Sequence, residues 1–354
     1  MGFLASRRAQ KEEDSRDFDA FQSIAAQVVD VMATAGVVLD LNNSVLRASP
    51  GAIQLGLVQN RRLIHSNLVK LVEQAKKTSG AVQQELLLET GLRREKVWVE
   101  ARAAQFGGEY VMLLVDDRTE SKQLEDTRRD FVANVSHELK TPIGAIGLLA
   151  EAIQGATDDS EMVKKFAESM QKESQRLANL VQELIQLSKV QGARVGENST
   201  EVDLAAVITD AVDRNLLIAE QRNIRVVSSA EAGTVVMGDY EMLVTAVRNL
   251  IENAIVYSNP ASQVGIGLKV VDGVAEIAVT DSGLGISESD QKRIFERFYR
   301  VDPSRSRETG GTGLGLSIVK HVAANHGGEV RLFSQPGVGS TFTLRLPIDT
   351  QEMP

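Results

Sequence analysis

His137 lies in the string Phe131 to Pro142, FVANVSHELKTP. If that string is helical, Val135 and Leu139 stack one turn apart and face inward. His137, two residues from each, then points to the opposite side. Thr141 stands one turn beyond His137 on that outer face, and Glu138 is adjacent. An exposed imidazole beside a carboxylate can act as a nucleophile, the carboxylate taking or orienting its proton. Pro142 removes a backbone donor and clashes backward, which predicts a bend just past the histidine. A single histidine on a helix is ordinarily surface or a satisfied core group. The Glu, Thr and Pro at fixed offsets set this one apart.

Four later patches carry a second kind of chemistry. Arg248 to Ser258 (RNLIENAIVYS) places Asn249 and Asn253 one turn apart on a helix. Two neutral amide oxygens on one face suit a Mg²⁺ that keeps waters and bridges phosphates, although each Asn alone would be a solvated residue. Asp281 to Ile286 (DSGLGI) follows an apolar strand. A carboxylate there can accept an adenine amino group, and Gly283 and Gly285 let the chain approach the base; the same residues also make ordinary turns. Phe295 to Arg300 (FERFYR), with Arg293, Arg305 and Arg307 nearby, is basic and aromatic and falls in a long loop, which predicts a lid or disorder. Gly310 to Leu316 (GGTGLGL) opens a helix, where backbone N–H groups and the helix end favour phosphate. It lacks the Lys of a P-loop, and no first strand precedes it, so neither that motif nor a dinucleotide fold fits.

These residues need elements to hold them. The chain has 354 residues, enough for two to three domains, and its 43% hydrophobic content supports proper cores. Aromatics at 4% favour packing by Leu, Val, Ile and Ala. The net charge of −9 argues against a nucleic-acid partner. With no cysteine, disulfides and thiolate metal sites are excluded. There is no run of 18 apolar residues and no signal peptide. Met1 to Ser6 (MGFLAS) matches a myristoylation pattern by chance. The charged RRAQKEED after it reads either as a juxtamembrane flank, with an anchor upstream, or as a frayed terminus. The expected location is cytoplasmic, or the cytoplasmic part of an inner-membrane sensor.

After a flank at 1–17, residues 18–118 read as a small α+β domain. Phe18 to Met32 is its opening helix, followed by a hairpin at Gly36–Leu41 and Ser44–Arg47 turned by Asn42-Asn43. Short helices lie within Pro50 to Val72, then strands at Val82–Glu89, Lys96–Ala103 and Glu109–Asp116. His65 reads as a helix-surface residue before a haem ligand, and Trp98 as packing. Residues 119–190 form two helices joined by a turn at Gln154–Ser160, with Asp159 or Ser160 as cap. Val132, Val135, Leu139, Pro142, Ile146, Leu149 and Ile153 recur at three- and four-residue steps. Val163, Phe166, Met170, Glu173, Leu177, Leu180, Leu184 and Leu187 repeat the pattern. One hairpin cannot hide two seams, so a second copy completing a four-helix bundle is the natural solution; a helical linker packed on its own domain is the alternative. Residues 191–200 read as a polar hinge and 201–350 as an α/β domain. In it, Leu204–Gln221 is one helix, Arg225–Ser229 and Thr234–Met237 are strands, and Asp239 caps a helix to Tyr257.

FVANVSHELKTP resembles the phospho-acceptor box of bacterial sensor histidine kinases. The four later patches resemble, in order and spacing, the N, G1, F and G2 boxes of the Bergerat-type ATPase, an α/β sandwich. The resemblance implies that His137 attacks the γ-phosphate of ATP, Glu138 assists as acid or base, and Thr141 positions water when the enzyme dephosphorylates its partner. It implies Asn249 and Asn253 for Mg²⁺ and phosphate, with Asn253 the metal ligand, and Asp281 for adenine. Gly283 and Gly285 would shape the base pocket, the stretch Gly311, Thr312, Gly313, Leu314 and Gly315 would hold phosphates, and Tyr257 would border the nucleotide. Val256 departs from the Lys or Arg often found there, which leaves phosphate binding to other groups, such as a lid arginine. Residues 18–118, ending in VDDRTE, resemble a PAS sensory domain. The whole is similar to actinobacterial kinases of the phosphate-response type. That implies a homodimer using ATP and Mg²⁺ and passing phosphoryl groups to an aspartate on a response regulator. A mechanically working ATPase would need no histidine box, and a silent scaffold or binding module would not need Asn253, Asp281 and Gly313.

Overall fold

The computed structural model describes residues 34–78, 80–91, 95–156, 159–192, 199–230, 233–302 and 311–348. The flank 1–17, the predicted opening helix, Gly310, Arg305, Arg307 and most of the 191–200 hinge lie outside these residues. The chain forms two compact units, Met1–Asp130 and Phe131–Pro354.

In the first unit, β1 (Ala35–Asp40) and β2 (Val45–Ala48) precede α1 (Pro50–Gln54), the short β3 (Val58–Gln59) and β4 (Arg62–Leu63), and α2 (Ser66–Lys77). Then come β5 (Val82–Thr90), β6 (Glu95–Phe106) and β7 (Tyr110–Asp117). The five long strands make one antiparallel sheet in the order β2-β1-β7-β6-β5. Alternate residues Val37, Leu39, Val99, Ala101, Leu113 and Val115 share a core with Leu68, Leu71 and Val72 of α2. Two strands, short helices and three strands are the expected order; the β3–β4 pair is an addition too short for a period to reveal. Asn43 turns the hairpin with φ 63°. His65 takes the N-cap position of α2, where burial lowers its pKa. Beyond β7 the chain is fastened to β6: Thr119 Oγ1 accepts from Trp98 N at 2.9 Å, and Thr119 N donates to Asp117 Oδ1 at 2.8 Å.

From there α3 runs Thr119–Gly155 as one helix with Pro142 inside it, and α4 (Ser160–Gly192) returns. Asp159 caps α4 through Met162 N, as expected. Of the seams, Pro142, Leu180 and Leu187 are buried, and most other members are half-buried. Val132 stays exposed, as do Ile143 and Leu148, which lie off the seam.

The rest of the second unit opens with β8 (Thr200–Asp203), so the expected hinge is shortened at both ends, by α4 and by β8. TEVD is too polar to show as a strand; it pairs with β10. The single helix expected at Leu204–Gln221 is instead two, α5 (Leu204–Asp213) and α6 (Leu216–Gln221). Buried Asn215 explains the break: its Nδ2 donates to the carbonyls of Ala211 (2.8 Å) and Arg248 (3.3 Å). Then follow β9 (Arg225–Ser229), β10 (Val235–Gly238), α7 (Tyr240–Tyr257, capped by Asp239), β11 (Gln263–Val271), β12 (Val274–Thr280), α8 (Glu288–Gln291), α9 (Gly315–Asn325), β13 (Glu329–Gln335) and β14 (Gly339–Pro347). The main sheet has the order β13-β14-β12-β11-β9, with only β9 and β11 parallel. Helix α7 lies against α5, α9 and the sheet, giving an α/β sandwich. Leu180, Leu187 and Val190 of α4 belong to the same buried cluster.

Candidate active site

Helix α7 and the two glycine loops build one cradle. Asp281 directly follows β12 and is only 8% exposed, and its Oδ1 accepts from Gly283 N (2.8 Å) and Ser340 N (3.2 Å). Burial pushes its carboxyl above the usual range, and those two N–H bonds pull it partly back. Both bonds use Oδ1, so Oδ2 keeps acceptor capacity for an incoming donor. Gly283 bridges to Ser258 at the end of α7; a Cβ there would stand 2.3 Å from Tyr257 O. The sequence reading gave Gly283 and Gly285 to close approach of a base. The geometry gives them first to close approach of protein backbone, Tyr257 O for one and Gln335 O for the other.

The second loop closes over α7 from the other side. Gly313 sits at φ 78°, and a Cβ would meet the Phe298 carbonyl carbon at 2.8 Å. Phe298 N donates to Gly313 O at 2.9 Å. Buried Thr312 accepts from Leu314 N through Oγ1 (3.2 Å) and donates to Glu183 of α4. Gly315 packs on Asn249, whose Nδ2 donates to Thr245 O at 2.9 Å. Asn249 is therefore a buried link between α7 and α9, while Asn253, one turn on, is half-buried. Tyr257 borders the same loop, its hydroxyl 4.0 Å from a Cβ at Gly311.

The stretch 293–300, expected as a lid or disordered loop, is pinned in its described part. Phe295 packs edge-on against Phe342, Tyr299 donates to Asp290 (2.7 Å) under the Arg293 guanidinium, and Phe298 stacks near Phe131. Arg297 lies over the Phe131 ring at 5.3 Å. Its aromatic residues, more than its charge, decide its order.

His137 is exposed on α3. Phe131 and Leu139, on either side of it in sequence, pack against the core that carries the cradle. Thr141 Oγ1 donates to His137 O at 3.2 Å, the back-bond of a helical threonine. Glu138 does not stay on the histidine's face: its Oε2 meets Arg176 of α4 at 3.5 Å, and Arg176 also lies 3.9 Å from Glu173. Adjacent helix residues point about 100° apart, which is why Glu138 reaches the hairpin seam. Sequence reasoning missed Arg176 and Glu183. The polar Glu173 in an otherwise apolar seam was the available signal. Among the described residues no cluster of three or more His, Cys, Asp or Glu could hold a metal. The described unit thus joins an exposed histidine on a helical hairpin to an α/β sandwich that carries two glycine loops.

The comparisons with known proteins agree. The His Kinase A (phospho-acceptor) domain matches residues 127–193, and the Histidine kinase-, DNA gyrase B-, and HSP90-like ATPase matches 238–350. The chain belongs to the sensor histidine kinases and is an ATP-dependent protein-histidine kinase of two-component signalling. It is 43% identical over 327 residues to the sensor-like histidine kinase SenX3 of Mycolicibacterium smegmatis, covering 91% of this chain and 85% of that protein. The SenX3 of Mycobacterium tuberculosis is 44% identical over 90% of this chain and 79% of its own length. The phosphate regulon sensor protein PhoR of Pseudomonas aeruginosa is 34% identical over 70% and 56%. The expected likeness to actinobacterial phosphate-response kinases is thus met. In fold the chain is similar to histidine kinase ThkA crystallised with response regulator protein TrrA, with a TM-score of 0.51 at 20% identity over 92% of this chain and 99% of that one. Among the described residues no helix is long and apolar enough to cross a membrane.

Proposed function

We propose that His137 is the phospho-acceptor and that the cradle formed by α7, Asp281 and the 311–315 turn delivers ATP to it. The observation that carries this reading is the exposed imidazole between Phe131 and Leu139, both seated on the core behind the cradle. An imidazole nitrogen attacks the γ-phosphorus, the bond to the β-phosphate oxygen breaks, and ADP leaves. Glu138 takes the ring proton, for which it must exchange Arg176 for the imidazole N–H. Asp281 accepts the adenine amino group, Tyr257 borders the nucleotide, Gly283 and Gly285 shape the base pocket, and Thr312 with the N–H groups of Gly311, Gly313, Leu314 and Gly315 faces the phosphates. Mg²⁺ would be held by the half-buried Asn253 amide together with phosphate oxygens and water, the cation lowering repulsion at the transferring group. Asn249 supports that face from within rather than by contact with the cation.

The test is incubation with γ-labelled ATP and Mg²⁺. His137→Ala is expected to abolish acid-labile, base-stable label while ADP binding persists; label that survives removes His137 from the role. The phosphoryl group then passes to a receiver aspartate of a response regulator. Ile143 (56% exposed) and Leu148 (69%) on α3, with Val181 and Ile185 on α4, offer the apolar surface for that docking. The half-buried seams and exposed Val132 support closure by a second copy of the chain into a four-helix bundle. The sheet order and the Thr119 exit clasp of residues 34–118 support a PAS-type input domain within 18–118. Residues 119–190 would then serve as the phosphotransfer hairpin and 201–350 as the ATP-binding domain. Shifts in α3 bias kinase against phosphatase states, the latter through Thr141.

A further inference from the structure

Helix α4 does more than pack. Its half-buried Glu183 accepts the Thr312 hydroxyl, at the turn that leads into α9. Thr312 Oγ1 also receives the Leu314 N–H, so the hydroxyl is oriented by the turn and offered to one acceptor. In the nucleotide reading that acceptor is a phosphate oxygen. Here it is a carboxylate oxygen from the hairpin. The same junction carries Arg248 Nη2 on Gln186 Oε1 (3.4 Å) and Asn325 Nδ2 on Val190 O (2.7 Å), with Leu180, Leu187 and Val190 buried beneath.

We infer that Glu183 is an affinity-determining residue for the nucleotide, an internal competitor that holds the hairpin against the 311–315 turn until phosphate takes the Thr312 hydroxyl. The inference rests on the nucleotide reading above. Among the described residues, Glu252 and Arg248 of α7 are the charged groups that act on Glu183. Burial pushes its carboxyl up to about 7, Glu252 adds to that, and Arg248 and the Thr312 bond oppose it. A carboxylate held there repels phosphate as well as blocking it, so bond and charge must be separated experimentally. Glu183→Gln keeps an acceptor for Thr312 and removes the charge; Glu183→Ala removes both.

The chain lacks cysteine, so spin labels at Gln171→Cys and Lys292→Cys, both exposed, report hairpin closure in the whole 354-residue chain. Calorimetry with ADP and Mg²⁺ reports affinity separately. Glu183→Ala is expected to open the label pair without nucleotide and to tighten ADP by about tenfold, the scale of one hydrogen bond to a charged group. Glu183→Gln is expected to keep the pair closed and to tighten ADP by less than Glu183→Ala, through the lost charge alone. An unchanged label distance in Glu183→Ala overturns the inference, as does a Glu183→Gln that tightens ADP as much as Glu183→Ala. If Glu183→Ala opens the pair but neither protein binds ADP, the nucleotide reading fails while the latch itself stands.

Discussion

Gly313→Ala tests whether the cradle is fixed by backbone contact. Gly313 has φ 78°, where an alanine costs about 1–2 kcal/mol. Its new Cβ would also meet the Phe298 carbonyl carbon at 2.8 Å and Cα at 2.9 Å, closer than Cβ atoms approach. Neither neighbour is a side-chain tip that can swing away. Phe298 is itself at φ 63° and donates to Gly313 O, so moving it strains a second residue and a hydrogen bond. Overpacking of this kind costs about 1–3 kcal/mol, giving about 3 kcal/mol in all. For a unit of this size, each kcal/mol lowers Tm by about 2–4 °C, so a fall of about 6–12 °C is expected. ADP affinity should fall by about tenfold or more as the turn moves. The control is Gly311→Ala, whose Cβ among the described residues would meet only the Tyr257 hydroxyl at 4.0 Å and whose stability should stay within about 0.5 kcal/mol. Thermal unfolding and calorimetric ADP titration of both variants decide the matter. Equal Tm and equal affinity for the two would refute the rigid contact between Gly313 and Phe298.

Asp281→Asn keeps an oxygen for Gly283 N and Ser340 N but removes the charge. Because burial raises this carboxyl, its ionisation opposes folding once pH rises through its pKa. The ligand-free variant should therefore melt no lower than the parent at pH 7, while losing ADP binding; a lower Tm contradicts the assignment. Asn215→Ala strips the hydrogen bonds to Ala211 O and Arg248 O and should cost about 1–3 kcal/mol in denaturant unfolding. Thr141→Ala should spare autophosphorylation and slow dephosphorylation of the regulator, measured with purified phospho-regulator; equal loss of both activities would undo the division of roles.

What the sequence made legible follows the length of each periodic signal. The two heptad seams span many turns, and both helices stand where the seams place them, Thr119–Gly155 and Ser160–Gly192. The strands of both sheets show through alternation in the same way. The breaks do not. Asn215 looks like any helical polar residue until the Arg248 carbonyl is brought to its amide. TEVD becomes a strand only because Val235–Gly238 lies beside it. Of the candidate site, Asp281 and the glycine loops leave a local pattern, glycines and a carboxylate after an apolar strand, whereas Ser340, whose N–H bonds Asp281 Oδ1, leaves none. Arg176 left only the polar Glu173 of its seam and Glu183 left nothing, since each acts through a residue far away in sequence, Glu138 and Thr312.

The places where local rules are broken gather around one pair of loops. Gly313 and Phe298 both hold positive φ and are tied by one hydrogen bond. Asp281 and Glu183 are carboxylates that burial pushes toward neutrality. Phe298, a non-glycine residue at positive φ, costs about 1–3 kcal/mol, and each carboxylate carries a desolvation cost that its hydrogen bonds offset only in part. A fold selected for stability alone would replace them with apolar residues of ordinary conformation. A pocket that recognises an amino donor and a polyphosphate needs a pre-placed acceptor and a turn whose N–H groups point outward. Both requirements leave polar groups that only protein partners satisfy until a ligand arrives. Binding then returns what folding gave up, and a helix carboxylate standing in for phosphate satisfies part of the demand in the meantime. The hairpin and the cradle are coupled because one hydroxyl, that of Thr312, is shared between Glu183 and the turn, not because they lie close in sequence.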